Sequence, residues 1–197
     1  LETKADRKPD YNGVVVMEDI LLVTCYNESI LHLYRLLDGK LMSSHRLESR
    51  PRGVCLISKT KVAVCLDDSI VILSLKSIDD LRLVKTLDVS TEFRWCQSVA
   101  KWNSVKLLVS GRKYDWMLCW GVVSITDGRL DSTHDICKGY RAHVAIKDNT
   151  VYILCHTLDT TVGVYAYDIL NPHTHMFLYQ HKELRTWSIM ADRNSVF

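Results

Sequence analysis

The chain has 197 residues, of which 47% are hydrophobic and 24% charged, and its formal net charge is +2. This length suits one sizeable domain, and so small a net charge gives no general argument for binding to nucleic acid or to a membrane. No apolar run approaches the roughly 18–20 residues that a membrane-spanning helix needs. The polar residues 1–10 lack the apolar stretch of a signal peptide, which predicts a polar linker.

One unit recurs along the chain. Gly13, Cys25, Ser29 and Ile30 return 40 residues later as Gly53, Cys65, Ser69 and Ile70. A third copy starts at Ser98, a fourth at His143 and a fifth at Ser188. A fixed period of about 40–45 residues with four short strands per unit is typical of a β-propeller. The repeat therefore predicts an all-β fold made of four-stranded blades.

Each unit divides into four strands, named a to d from the propeller axis outward. Strands a and b are nearly continuous apolar runs, as expected where both faces are covered by neighbouring blades. The pairs Asp38-Gly39 and Asp127-Gly128 predict tight c–d turns. The predicted partial propeller covers residues 11–197, with blades at about 11–49, 50–92, 93–138 and 139–184 and a truncated unit at 185–197.

Four blades and a short fifth unit do not close a ring, and an open ring leaves strand edges and apolar faces in water. Residues 1–10 are too polar to supply a closing strand. We expect at least one further blade and favour two, which would make a six-bladed ring. Because the sequence starts with Leu1 and stops at Phe197 inside a strand pattern, we interpret it as a segment of a longer protein.

The seven cysteines indicate a reducing compartment. Five of them lie in apolar strand patterns and none forms a CxxC pair, unlike the paired loop cysteines of secreted frameworks. We expect reduced thiols in a cytoplasmic protein. The 40-residue spacing of Cys25 and Cys65 predicts equivalent packing positions rather than reactive groups.

Motifs for catalysis are absent, so this chain is predicted not to be an enzyme and to need no cofactor. No metal site is expected, because His173, His175 and His181 lack the partners of a tetrahedral set. The alternative of a metal-dependent propeller enzyme, of the lactonase or lyase type, would need acidic groups along the axis. A further alternative is an intramolecular scaffold for other domains of the same protein.

Arginine and aromatic residues recur in the connections predicted on one face, the top face, where the d–a connections and b–c loops meet. The d–a connections are RPRG (50–53), FRWC (93–96), KGYRAH (138–143) and LRTWS (184–188), and the long b–c loop of the third unit is GRKYDW (111–116). The predicted ligand-binding residues are Arg50, Arg52, Arg94, Trp95, Arg112, Lys113, Tyr114, Trp116, Tyr140, Arg141, Arg185 and Trp187.

Guanidinium groups among stacking rings can hold acidic peptides or phosphates. The pattern predicts a protein partner or substrate, with single-stranded RNA as the alternative and no membrane. A plainer interpretation also stands, in which the arginines are solvated loop residues or bridges between blades, and Trp95 and Trp187 fill seams.

The units GVVVMEDILLVTCYNESILHLY (13–34) and RPRGVCLISKTKVAVCLDDSIVILSL (50–75) resemble the C-terminal NHL-like propellers of tripartite-motif (TRIM) and B-box proteins. Arg52 stands after Pro51 where that family often has tryptophan. The resemblance implies a module that recruits protein or RNA targets to an E3 ubiquitin ligase. It also implies that the RING, the B-boxes and an oligomerising coiled coil lie in parts of the protein outside this chain.

Overall fold

The computed structural model describes residues 8–77 and 80–182. These residues form strands and turns and contain no helix. Accordingly, no helix in the described part of the chain is long and apolar enough to cross a membrane. The strands are β1 (Tyr11–Met17), β2 (Ile20–Cys25), β3 (Ile30–Arg35), β4 (Leu41–Arg46), β5 (Val54–Ser58), β6 (Lys61–Cys65), β7 (Ser69–Leu75), β8 (Leu81–Asp88), β9 (Trp95–Lys101), β10 (Lys106–Arg112), β11 (Met117–Ser124), β12 (Leu130–Lys147), β13 (Thr150–Thr157), β14 (Thr161–Asp168) and β15 (His175–Lys182).

These strands build four antiparallel blades. Blade 1 is β1–β4 and blade 2 is β5–β8, each a four-stranded sheet in chain order. Strands β9–β15 form one seven-stranded sheet, because β12 pairs with β11 along its first half and with β13 along its second. Blade 3 therefore ends, and blade 4 begins, within one strand. The first strands of successive blades are neighbours around the axis, which confirms the predicted β-propeller.

Apolar seams join the blades. Leu22, Leu31 and Leu33 of blade 1 pack against Val62, Val71 and Leu73 of blade 2. The seam between blades 2 and 3 is centred on Ile70, Ile72, Phe93, Val99 and Val109. Trp120, fully buried, packs with Ile153 and Tyr167 between blades 3 and 4. Burial on both faces explains why the inner strands are nearly continuous apolar runs.

The c–d turns have the predicted chemistry. Gly39 has φ 65° and Gly128 has φ 78°, values at which a side chain is strained and glycine is not. In both turns the preceding aspartate accepts a backbone N–H: Asp38 from Lys40 at 3.1 Å and Asp127 from Arg129 at 3.1 Å. The two Asp-Gly pairs therefore end the c strands of blades 1 and 3, as the sequence indicates.

The prediction that Cys25 and Cys65 occupy equivalent packing positions is wrong by one residue. In blade 1 Met17 pairs with Ile20, and in blade 2 Ser58 pairs with Lys61, so the a–b hairpins are 41 residues apart rather than 40. The additional residue is Ile57, which lies in a bulge between Leu56 and Ser58. Cys65 faces the seam with blade 3, whereas Cys25 lies on the side of blade 1 that points away from blade 2.

All seven cysteines are unbridged. Cys65 and Cys96 meet across the seam of blades 2 and 3 with their sulfur atoms 2.8 Å apart. Burial raises the pKa of the Cys119 thiol to about 12, so this thiol stays protonated at neutral pH.

Candidate ligand-binding face

The b–c turns and d–a connections lie side by side at one end of the blades. Arg50, between β4 and β5, contacts Tyr26 in the turn between β2 and β3. Arg94, just before β9, contacts Tyr114 in the turn between β10 and β11. Trp116 in that turn contacts Tyr140 in β12. We call this end of the molecule the top face.

An alternating series of guanidinium groups and rings crosses the top face of blade 3, and we call it the arginine–aromatic row. Its members, in spatial order, are Tyr114, Arg94, Trp95, Arg112, Trp116 and Tyr140. The Cζ atom of Arg94 lies 5.0 Å from the ring centre of Tyr114 and 4.1 Å from that of Trp95. The Cζ atom of Arg112 lies 3.9 Å from Trp95 and 3.8 Å from Trp116. The Trp116 and Tyr140 rings meet edge to face at 5.6 Å.

The row combines exposed rings with unneutralised charge. Tyr114, Trp116 and Tyr140 are 72%, 43% and 48% exposed. Among the described residues, no carboxylate lies within ion-pair distance of Arg94 or Arg112. Burial, and then the cations of Arg52 and Arg94, lower the pKa of the Arg112 guanidinium. Mutual repulsion of this kind marks a region of positive potential that a bound anion would relieve.

A second group, the Tyr26 cluster, lies at the junction of blades 1 and 2. Arg50 and Arg52 stack on the Tyr26 ring at 5.3 Å and 4.5 Å and donate to its hydroxyl at 3.2 Å and 3.1 Å. Arg52 also pairs with Asp67 at 3.3 Å. This cluster is more nearly neutral than the row, since Asp67 offsets one of its two cations.

Lys113 is turned away from the row. Its ammonium group lies 2.7 Å from Asp135 and 3.4 Å from Glu92, and the hydrogen bond to Asp135 raises the pKa of Lys113. The sequence places Lys113 among the ligand-binding residues, but in the structure its charge is already paired within blade 3.

Several predicted loop residues lie in strands. Trp95 is the first residue of β9 and Arg112 the last of β10. The segment KGYRAH (138–143) is not a loop: Tyr140 and Arg141 lie inside β12, because the chain crosses from blade 3 to blade 4 without leaving the extended conformation. Arg185 and Trp187 lie outside the described residues.

Three buried polar residues hold the backbone of the top face. Gln97 donates from Nε2 to the carbonyl of Tyr140 at 2.8 Å and accepts the N–H of Ala142 at 2.6 Å. Ser110 donates to the Ala142 carbonyl at 2.8 Å. Thr24 donates to the Arg52 carbonyl at 2.6 Å. Sequence reasoning missed all three, and only their polarity within apolar strands could have drawn attention to them.

A cavity of about 650 Å³ lies along the axis between the inner strands. Asp10, Asn12, Arg141 and His143 are among its lining residues, and a smaller recess beside it reaches Arg52 and Gln97. The larger cavity thus has one carboxylate in its described lining, and the cations of Arg52 and Arg141 lie toward the top face.

No protein-family profile matches this chain, and no curated protein matches it by sequence. Solved structures match its fold. A chain of hydrazine synthase from Kuenenia stuttgartiensis has a TM-score of 0.73 at 12% identity, over 94% of this chain and 55% of that one. The β-propeller domain of Cps50 (Swd1) from Myceliophteria thermophila has a TM-score of 0.61 at 12% identity, over 91% and 61%. A chain of the nidogen/laminin complex has a TM-score of 0.74 at 11% identity, over 95% and 71%.

This chain therefore spans 55% and 61% of the length of the first two of these structures. Identities of 11–12% establish a shared fold and no shared ligand or activity. The resemblance to TRIM propellers is not tested by these matches and stays a prediction.

Proposed function

We propose that this chain is a non-catalytic interaction module whose arginine–aromatic row binds an acidic segment of a partner protein. The observation that carries the proposal is the pair Arg94 and Arg112. Both guanidinium groups lie against aromatic rings, and neither has a carboxylate partner among the described residues. A surface of unpaired cations beside exposed rings favours a ligand that supplies both negative charge and apolar contact.

The geometry favours a preorganised site. Rings on both sides of Arg112 restrict its side chain, and the residue is only 9% exposed, so little side-chain entropy remains to be lost on binding. A carboxylate that reaches this guanidinium can form two parallel hydrogen bonds. The exposed Tyr114, Trp116 and Tyr140 would then cover the apolar part of the ligand.

Within the parent protein, this module would serve as the target-recognition part of a TRIM-like E3 ubiquitin ligase in the cytoplasm. Support comes from the sequence resemblance of residues 13–34 and 50–75 together with the propeller fold. Ligase chemistry and coiled-coil oligomerisation would belong to other domains of that protein.

A binding measurement with charge-reversed variants tests the row. Fluorescence anisotropy would follow a labelled Glu/Asp-rich peptide with one central tryptophan. Arg94→Glu and Trp116→Ala should each lower affinity about tenfold or more, because each removes a contact at the centre of the row. Arg129→Glu is the matched control, since Arg129 lies beyond the c–d turn at the opposite end of blade 3 and pairs with Asp131 at 3.0 Å.

Equal losses in Arg94→Glu and Arg129→Glu would show that only net charge matters and would contradict the site. A labelled single-stranded oligouridine distinguishes RNA from protein as the ligand. Affinity for RNA should fall steeply and linearly with the logarithm of salt concentration. Tighter binding to oligouridine than to the peptide, with that salt dependence, would replace the acidic-segment proposal with an RNA one. Binding to neither probe would overturn the row as a ligand site.

A further inference from the structure

Three potential metal ligands converge on the side of blade 1 that points away from blade 2. Cys25 is the last residue of β2, Glu28 lies in the following turn and His32 lies in β3. Their ligand atoms all lie within 4.8 Å of one another, and Nε2 of His32 is 3.9 Å from a carboxylate oxygen of Glu28. All three come from one strand–turn–strand segment, so the local backbone pairing brings them together.

The same positions in blade 2 are apolar. His32 pairs with Val23 in the way that Val71 pairs with Val64, and the 41-residue offset of the hairpins makes Leu66 the counterpart of Cys25. Leu66 and Val71 are buried in the seam with blade 1, at 3% and 6% exposure. Blade packing at these positions thus requires only apolar side chains. Blade 1 instead carries a thiol and an imidazole there, with a carboxylate beside them.

The imidazole is oriented for coordination. Nδ1 of His32 shares a hydrogen bond of 2.8 Å with Ser44 on the neighbouring strand, which leaves Nε2 directed toward Glu28. The rings of Tyr11 and Tyr34 lie 6.3 Å and 5.9 Å from the imidazole and restrict its rotation. A hydrogen bond to the non-coordinating nitrogen is the usual way in which proteins fix a metal-binding histidine.

We propose that Cys25, Glu28 and His32 form a zinc site with three protein ligands and one open coordination position. Thiolate, imidazole and carboxylate are the ligands that Zn²⁺ accepts, and three protein ligands leave the fourth position for water or a partner's side chain. Tetrahedral coordination brings ligand atoms to about 3.5 Å from one another. Glu28 is 43% exposed, so a rotation of this one side chain closes the set while Cys25 and His32 stay in place.

A bound ion would fix the turn that carries Tyr26, on which Arg50 and Arg52 stack.

Cobalt(II) and zinc titrations of the whole chain test the site. Co²⁺ bound to a thiolate gives a sulfur-to-metal charge-transfer band, and Zn²⁺ should abolish that band by competition. Cys25→Ser should remove the band. His32→Val, which introduces the residue present in blade 2, should lower zinc affinity by at least about tenfold, and Ser44→Ala should lower it by about tenfold through loss of the orienting hydrogen bond.

Glu28→Gln is the variant least able to disturb folding, since its side chain lies in an exposed turn, and it should also weaken zinc binding. Cys137→Ser, at a half-buried thiol in blade 3, is the matched control and should keep the band. If wild-type protein gives no charge-transfer band, or if Cys25→Ser keeps it, the three residues form an ion pair beside a buried thiol and the proposal is overturned. None of these readouts depends on a ligand of the top face.

Discussion

Gln97 shows how one side chain can position a binding surface that it does not itself reach. It is 6% exposed, yet its amide group satisfies both the Tyr140 carbonyl and the Ala142 N–H. These two backbone groups flank Arg141, where the chain crosses between blades. Gln97 is therefore a positioning residue for Tyr140 and Arg141.

Gln97→Met should lower the free energy of unfolding by about 2–4 kcal/mol, because it leaves the buried Ala142 N–H and the part-buried Tyr140 carbonyl without these partners, at about 1–3 kcal/mol each. Urea unfolding measures this change. The control is Gln180→Met in the exposed strand β15, where a change below about 0.5 kcal/mol is expected. A similar small loss in both variants would show that the two hydrogen bonds contribute nothing to stability.

His143 gives the fold a pH dependence. Burial, and then the charges of His156, Arg141 and Arg52, lower its pKa from 6.5 to about 4. Between these values the unfolded chain binds a proton that the native protein does not, so the free energy of unfolding falls as pH decreases, by up to about 3 kcal/mol at pH 4. In His143→Gln this part of the pH dependence should vanish, as urea unfolding at several pH values would show. Parallel stability curves for the two proteins would contradict the effect.

At the residue scale, the sequence predicts residues that a local pattern marks, but it does not predict roles that depend on contacts with distant parts of the chain. Tyr114 and Trp116 follow from a turn sequence that can be recognised by itself. The role of Gln97 depends on a backbone group 43 positions away, and no pattern near Gln97 encodes it. The ion pair of Lys113 likewise depends on Asp135, which belongs to the next strand but one.

At the scale of elements, β12 is the feature that the repeat did not reveal. It runs for 18 residues and passes from one blade to the next at Gly139, with a bulge between Gly139 and Arg141. A Cβ atom at Gly139 would lie 2.3 Å from the His156 carbonyl oxygen and 2.5 Å from Leu118 Cδ1. Only glycine lets the two strands approach this closely.

Gly139→Ala should therefore destabilise the protein by about 2–4 kcal/mol, since backbone must move to relieve the contact. Thermal unfolding followed by circular dichroism measures it. Gly39→Asn is the control: Gly39 has φ 65° with nothing within 4 Å of an added Cβ, and asparagine tolerates that conformation. An alanine at position 139 that leaves the melting temperature unchanged would contradict the close approach.

Strand boundaries were more predictable than strand register. Apolar runs ended by Asp-Gly turns mark the strands, because both signals are local. The bulge at Ile57 has no such signal: VCLIS could pair straight or bulged, and packing in the seam decides. One inserted residue exchanges the two faces of the following strand, which is why the 40-residue spacing of Cys25 and Cys65 was misleading.

At the scale of the molecule, the hydrophobic period was enough to predict the propeller. Structures only 11–12% identical share the fold, so the arrangement depends on pattern rather than on particular side chains. The side of blade 1 that points away from blade 2 carries apolar residues at the positions that pack in the seams elsewhere. Val14 and Val16 on that side are 60% and 45% exposed, while their counterparts Val54 and Leu56 in blade 2 pack in the seam between blades 1 and 2.

The unbroken backbone of β12 has a mechanical consequence. Blades 3 and 4 cannot tilt against each other without bending a hydrogen-bonded strand, whereas blades 1 and 2, and blades 2 and 3, are joined by the non-strand segments 47–53 and 89–94. Apart from Arg94, which ends the segment 89–94, the arginine–aromatic row thus lies on the stiff half of the arc, and the Tyr26 cluster spans a joint. A long ligand that bound both the arginine–aromatic row and the Tyr26 cluster would restrict the tilting of blade 1 against blade 2. It would thereby transmit force from one side of the top face to the other.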